Sequence, residues 1–276
     1  MNKIGVIGHT GSVGKRLIEK GGIPLDCDVR SIDTIKKAIR KVKPDVIVNL
    51  ASKSSPEWCE KDENFQEMFD VNAKGIFYLG EATQRLAIPV VTLSTDHVFS
   101  GRSYFDWGMK KWIKKGPYSE DYSRPVPANM YGMSKLAAES MAMAYDNMKI
   151  VRTSYLFDVA KLQSIQYQVT TNYRNTYSCP TFIYRSFMHT DHFVESLLHY
   201  VNNIYSMPKL LHVSGSETVS WLEFLREYLI APYTLHTHKK DNKDFAPRPY
   251  KAGLDVSLSA KLGLPQYSYK DGLELL

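Results

Sequence analysis

Short apolar runs alternate with amphipathic stretches through the first half of the chain. Lys3–Ile4–Gly5–Val6–Ile7, Val46–Ile47–Val48–Asn49–Leu50–Ala51, Pro89–Val90–Val91–Thr92–Leu93 and Lys149–Ile150–Val151–Arg152–Thr153–Ser154 are near-continuous apolar segments. Such runs fit strands buried on both faces of a parallel sheet. Between them lie stretches with helical spacing. One follows the first strand as far as Lys20, and one runs from Ser31 to Val42 with Ile32, Ile35 and Ile39 on a single stripe. Others run from about Phe65 to Leu86 and from Tyr131 to about Tyr145. Strand and helix in alternation imply an α/β fold, a Rossmann-type doubly wound parallel sheet covered on both faces. Between Gly21 and Arg30 there is room for one short strand at most, so the second-strand region is shortened.

After Ser154 the rhythm breaks. Residues 155–189 are mixed, with Cys179–Pro180–Thr181 as a turn. A helix is predicted from Asp191 to about Asn203 with Thr190 as its N-cap. A short strand follows at Leu210–Val213, then a capping box, Ser220 to Glu223, opens a helix. A last helical piece spans Ser257 to Leu262. The expected organisation is a nucleotide-binding domain over residues 1–155 and a smaller C-terminal substrate-binding region over residues 156–276, interleaved with the first.

Composition narrows the class. Of 276 residues, 43% are hydrophobic and 23% charged, the balance of a soluble globular protein with a full core. No apolar run approaches the ~20 residues of a membrane helix. Met1–Asn2–Lys3 leads straight into a strand-like run, so no secretory signal and a cytoplasmic location are expected. Cys27, Cys59 and Cys179 are far apart and form no Cys-x-x-Cys, which suggests reduced thiols and no zinc site. The net charge of +6 is spread along the chain. Its densest group is Lys110, Lys111, Lys114 and Lys115, flanked by Trp107 and Trp112. Basic residues among aromatics can hold a polyphosphate or single-stranded nucleic acid. A solvated loop is the favoured reading, with no nucleic-acid and no membrane partner. Residues 100–130 form a long irregular segment, expected to be a partly ordered lid or an oligomer contact.

Candidate chemistry gathers at the strand ends. Gly8–His9–Thr10–Gly11–Ser12–Val13–Gly14 follows the first strand and opens a helix. Glycines there permit a tight turn and close backbone approach to a pyrophosphate, and the helix start offers free N–H groups. Asp28 and Arg30 are candidates for the adenosine end of a dinucleotide, with Lys15, Arg16 or Arg30 able to meet a ribose phosphate. They are equally plain surface charges at a strand end. Leu50, Ala51 and Ser52 end a strand that faces the ligand crevice of an open parallel sheet. Asn72 can hydrogen-bond backbone near the site, or face solvent. Thr95 and its neighbours Asp96 and His97 end another such strand. A hydroxyl at this strand end, that of Ser94 or Thr95, can donate to a substrate carbonyl. His97 is either an acid–base group or a structural histidine. Tyr131 and Lys135 lie one helical turn apart on one face, and a nearby ammonium is expected to lower the phenol's pKa towards neutrality.

Together these residues resemble the extended short-chain dehydrogenase/reductases, and within them the dTDP-4-dehydrorhamnose reductases. The matching stretches are Gly8 to Gly14, Lys43 to Asn49, Ser94 to Phe99, Tyr131 to Lys135, Val151 to Ser154, His212 to Ser216, Arg248–Pro249 and Leu254–Asp255. Glu19 to Pro24 and Trp58–Cys59–Glu60 also resemble the plant-type bifunctional 3,5-epimerase/4-reductases that act on UDP-4-keto-6-deoxyglucose. The resemblance implies NAD(P)H-dependent reduction of the C4 ketone of a nucleotide-diphosphate sugar of the 4-keto-6-deoxy class. Tyr131 would protonate the forming alkoxide, Lys135 would bind the nicotinamide ribose, and Thr95 would hold the ketone oxygen. Asp96, His97 and Tyr155 would lie near the sugar, and Arg248 near the nucleotide end. NADP(H) is favoured by the basic residues and the lack of a clear ribose acid, with NAD(H) the alternative. His97 stands where these reductases usually carry tyrosine, and Tyr155 where they carry tryptophan. Arg16 falls near a position where some relatives place a metal-tied glutamate, so no metal is expected. A homodimer is an expected assembly. Two alternatives are a bifunctional epimerase/reductase with His97 as base, and a non-catalytic subunit similar to the regulatory subunit of methionine adenosyltransferase.

Overall fold

The chain is described by a computed structural model, whose described residues are 2–106, 111–113, 116–171, 176–229, 234–238 and 246–276. Its centre is a six-stranded sheet. The strands are β1 (Ile4–Ile7), β2 (Ile23–Pro24), β3 (Val46–Asn49), β4 (Val90–Thr95), β5 (Met148–Thr153) and β6 (Leu210–His212). Their order is β6-β5-β4-β3-β1-β2, and all the pairings are parallel. β1 and β3 are buried throughout because helices cover both faces. The chain goes one way from β1 to β2 and the other way from β3 onward. The crevice of such a sheet opens at that reversal, beyond the carboxyl ends of β1 and β3. β6 comes from the second half of the chain, so the two halves share the main sheet.

Two cores sandwich the sheet. On one face α1 (Ser12–Glu19) and a helix at Thr190–Asn202 bury Leu17, Phe193, Leu197 and Tyr200 against β1, β3 and β5. On the other, Ile35 and Ile39 of α2 (Ile32–Val42), Ile76 and Leu79 of α3 (Gly75–Thr83), and Ala138 and Ala142 of α4 (Met130–Met143) fill the space. Ser31 caps α2 as its polar start, and Lys43 in the left-handed region ends it just before Pro44. Each fully buried large aliphatic side chain contributes about 1.5–3 kcal/mol.

Several elements differ from the sequence reading. The stretch from Phe65 to Leu86 is not one helix: a π-helical turn at Asp70–Lys74 interrupts it and carries Asn72 inward. Residues 155–189 include a helix, α5 (Val159–Thr171). The N-cap of the Thr190–Asn202 helix is His189, whose Nδ1 accepts from Asp191 N at 3.3 Å, and not Thr190. Within 100–130, Tyr118 is buried against Phe99 and Leu254 and bridges to backbone at Gly253 and Asp255, so this part is a fixed wall. The side chains of the Lys110–Lys115 basic–aromatic cluster lie outside the described residues. Among the described residues no helix is long and apolar enough to cross a membrane.

Candidate active site

A cleft of about 1060 Å³ runs along the carboxyl ends of the strands. Its first wall is the glycine turn. Gly8 sits at φ +74°, and a Cβ there would lie 2.8 Å from Ala51 N, so a side chain would push β1 away from the β3 loop. A Cβ on Gly14 would lie 2.5 Å from Gly8 O, so glycine lets α1 close onto its own turn. Gly11 caps α1 with no side-chain bond, leaving the first N–H groups of the helix open to an anion. Ser12 donates from Oγ to Asp158 at 2.8 Å and ties the turn to the start of α5. Arg16 donates to Ser12, to Asp191 at 2.6 Å, and lies 3.3 Å from Asp158. It is committed to these carboxylates and not presented to a ribose phosphate.

The adenosine-end expectations do not reach the cleft. Asp28 and Arg30 pair with each other at 2.7 Å, partly in solvent, and neither lines the cleft. The same holds for His9 and Thr10; His9 instead reaches Asp26, just beyond β2, at 3.5 Å. Leu50, Ala51 and Ser52 do line it.

Of the two readings of Asn72, the structure shows the buried one: it hydrogen-bonds backbone near the site and holds the wall from behind. Its Oδ1 accepts from Ser52 Oγ at 3.1 Å and Lys53 N at 2.7 Å. Its Nδ2 donates to Lys53 O at 3.0 Å and to Ser134 Oγ at 2.9 Å. With this hydrogen-bonding capacity spent, Asn72 pins the Ser52–Lys53 loop to α4 as a positioning residue. The π-helical turn that delivers it is a feature that gathers at functional sites.

α4 carries Tyr131 and Lys135 into the cleft. Asn129 caps it, accepting from Gly132 N at 2.8 Å. A Cβ on Gly132 would lie 2.2 Å from His97 O, so glycine lets the helix start press onto the β4 end and brings Tyr131 beside Thr95 and His97. Burial raises the Tyr131 phenol well above its ordinary pKa and the Asp96 carboxylate adds to this, while the Thr95 and Ser52 hydroxyls act in the opposite sense. The expected lowering is therefore absent, and the phenol holds its proton. Burial pushes the Lys135 ammonium down to about 8, with Glu139 opposing. Lys135 is 4% exposed, and its ammonium has no hydrogen-bond partner among the described residues. Glu139, one turn further on, is held by Arg152 at 2.7 and 2.8 Å and by Ser94 at 2.5 Å.

Beyond Thr95 the cleft becomes cationic and aromatic. Asp96 accepts from Ser154 Oγ at 2.6 Å and lies 3.3 Å from Arg185, both ion-pair partners being buried. Arg248 pairs with Glu57. Tyr155 packs edge-on to Trp221 with centroids 4.8 Å apart, and Lys161 sits 4.2 Å over the Tyr155 ring. The sequence reading missed Arg185, Lys161, Trp221 and Glu57. None of them belongs to a local motif for binding or catalysis, and only the fold brings them to the cleft that Thr95 lines. Among the described residues no cluster of His, Cys, Asp and Glu could hold a metal ion.

A family model described as the RmlD substrate binding domain matches residues 2–276. The chain belongs to the RmlD substrate binding domain family. A dTDP-4-dehydrorhamnose reductase of Sinorhizobium fredii is 37% identical over 131 residues, covering 47% of this chain and 40% of that one. The chain spans about half the length, or less, of the first curated relatives it matches. A Bacillus anthracis dTDP-4-dehydrorhamnose reductase crystallised with NADP superposes with a TM-score of 0.83 at 21% identity, covering 99% of this chain and 97% of that one. The Bordetella bronchiseptica enzyme WbmG, crystallised with NAD, superposes at 0.73 with 18% identity, covering 96% and 89%. At these identities the two structures speak for the Rossmann-type fold, and membership of the RmlD family agrees with the resemblance read from the sequence.

Proposed function

We propose that this RmlD-family chain reduces the C4 ketone of a nucleotide-linked 4-keto-6-deoxy sugar with a nicotinamide dinucleotide. The observation that carries the reading is the meeting of Thr95, Tyr131 and Lys135 in a cleft that also has a bare glycine turn on its wall. The residues present fit the cofactor. The uncapped α1 start and the side-chain-free turn suit a pyrophosphate, and the unpartnered Lys135 ammonium suits ribose hydroxyls. Bound there, the cofactor supplies the hydride equivalent.

The chain's own groups do the rest. The Thr95 hydroxyl, which here donates to Asp96 Oδ1 at 3.2 Å, turns its proton to the ketone oxygen when substrate binds and stabilises the charge that develops on it. Tyr131, kept protonated by burial, gives its proton to the forming alkoxide. Lys135 holds the ribose and the positive charge that eases the phenol's loss of a proton. Tyr155 and Trp221 offer aromatic faces, while Arg248 and Lys161 offer charge for a diphosphate. NADP(H) is the first choice of cofactor, since it accompanies the Bacillus anthracis relative. NAD(H) is the second reading, favoured by Asp26 beyond β2, where an acid can meet an unmodified ribose.

Purified protein is given NADPH or NADH with dTDP- and UDP-linked 4-keto-6-deoxy sugars, and cofactor oxidation is followed. Oxidation dependent on one of the sugars supports the reading and names the nucleotide. No oxidation in any combination overturns it, and co-purification with a methionine adenosyltransferase would then favour the regulatory-subunit reading.

A further inference from the structure

His97 lines the cleft beside Tyr131, with ring centroids 5.4 Å apart. Its backbone N donates to Thr95 Oγ1 at 3.2 Å, which seats the residue's main chain against Thr95. Its Nδ1 lies 2.9 Å from Asn129 Nδ2. The orientation of that amide is fixed from both sides. Asn129 Oδ1 faces the Gly132 N–H at 2.8 Å, which only donates. Asn129 Nδ2 faces the Pro247 carbonyl at 2.8 Å, which only accepts. A flipped amide would lose both bonds. Nδ2 therefore presents an N–H to the imidazole, and His97 Nδ1 must be the acceptor. In a neutral imidazole the proton then sits on Nε2.

We propose that Asn129 holds His97 as the Nε2–H tautomer, so that His97 serves the sugar as a neutral hydrogen-bond donor and not as an acid–base group. The substrate atom it suits is an oxygen beside the reacting carbonyl, a hydroxyl or the ketone itself. The role of donor rests on the ketoreductase reading, whereas the tautomer rests on the protein alone. The cations around the ring favour the neutral form. Asn129 places a donor against Nδ1, Tyr131 presents a protonated phenol, and the Arg185 and Arg248 guanidiniums repel an imidazolium. Asp96 precedes His97 in the chain, but its carboxylate is engaged by Arg185 and Ser154. Burial acts in the same sense as the two arginines and keeps the imidazole well below its ordinary pKa. The geometry thus speaks against His97 as the base of an epimerase, because a base needs an open, unprotonated nitrogen.

The test is a histidine nitrogen NMR spectrum of the whole protein, with His97 assigned by its loss in His97→Gln. The expected result is an unprotonated Nδ1, a protonated Nε2, and no titration between about pH 5.5 and 8, a window that spans the ordinary value of ~6.5. An Nδ1–H tautomer, or a titration in that window, overturns the proposal. Asn129→Asp is the second arm. Aspartate caps a helix as well as asparagine, but it sets a carboxylate oxygen against Nδ1. His97 should then take a proton on Nδ1, and kcat/KM should gain an ionisation in the same window. An unchanged tautomer in Asn129→Asp overturns the clamp. For the donor role, His97→Phe should lose at least tenfold more kcat/KM than His97→Gln, which keeps an N–H. Equal losses overturn that role. A wild type that reduces no sugar ketone overturns the ketoreductase reading and the donor role with it, and leaves the tautomer result standing.

Discussion

Lys135 is costly to the fold, and the size of that cost can be worked out. Its ammonium is buried, and its pKa falls from 10.5 to about 8. A tenfold change in proton affinity corresponds to about 1.4 kcal/mol, so the charged lysine costs the folded state on the order of 3 kcal/mol. Below pH about 8 both states carry the proton and the whole cost is felt. Between about 8 and 10.5 the folded protein releases the proton while the unfolded chain keeps it, so stability rises with pH. Above that range the difference is gone. Lys135→Met removes the charge and roughly keeps the volume. The variant is expected to be about 2–4 kcal/mol more stable than the wild type at pH 7, an advantage that shrinks by about 1 kcal/mol at pH 9. Urea unfolding at the two pH values measures both quantities. The same variant should lose ketone reduction. A Lys135→Met protein less stable than wild type at pH 7, or a gap that does not change with pH, would refute the reasoning. Stability given up for a functional charge is a common trade at active sites.

Other perturbations follow from the same contacts. Arg152→Met leaves Glu139 charged, buried and without its bidentate partner, and should cost about 3–5 kcal/mol in urea unfolding. Asn72→Ala frees the Ser52–Lys53 loop, and the unpaired groups left behind should cost about 1–3 kcal/mol, with a higher KM for the cofactor. If Arg248 meets the diphosphate as proposed, Arg248→Gln should raise KM for the nucleotide sugar about tenfold or more with kcat little changed, because the lost charge is remote from the reacting carbon.

The parts legible in the sequence are those whose signal is local. A glycine turn between a buried strand and a helix, or a tyrosine and lysine one turn apart, can be read within a few residues. The capping box at Ser220 and Glu223 could be read in the same way. What escaped depends on distant partners. Arg185 meets Asp96 across 89 positions, and Arg16 meets Asp158 and Asp191 across the two halves of the chain. Arg16 reads as a phosphate ligand because its charge is visible in the sequence and the distant carboxylates that occupy it are not, whereas Arg30 is taken by Asp28 only two residues before it. The pKa of Tyr131 was misjudged for a related reason. Spacing shows the neighbouring lysine but not the burial and the Asp96 charge that raise the phenol's pKa. α5 was overlooked because residues 155–189 show few apolar positions at helical spacing; Leu162 and Ile165 are its buried anchors.

The central claim is that Tyr131 and its neighbours reduce a sugar ketone. Its most direct test uses NADPH carrying deuterium at the transferable position, the nucleotide-linked 4-keto-6-deoxy sugar, and the wild-type and Tyr131→Phe proteins. The account predicts deuterium at C4 of the sugar with the wild type, and none with Tyr131→Phe although that protein still binds NADPH. Deuterium transfer that survives unchanged in Tyr131→Phe would contradict it.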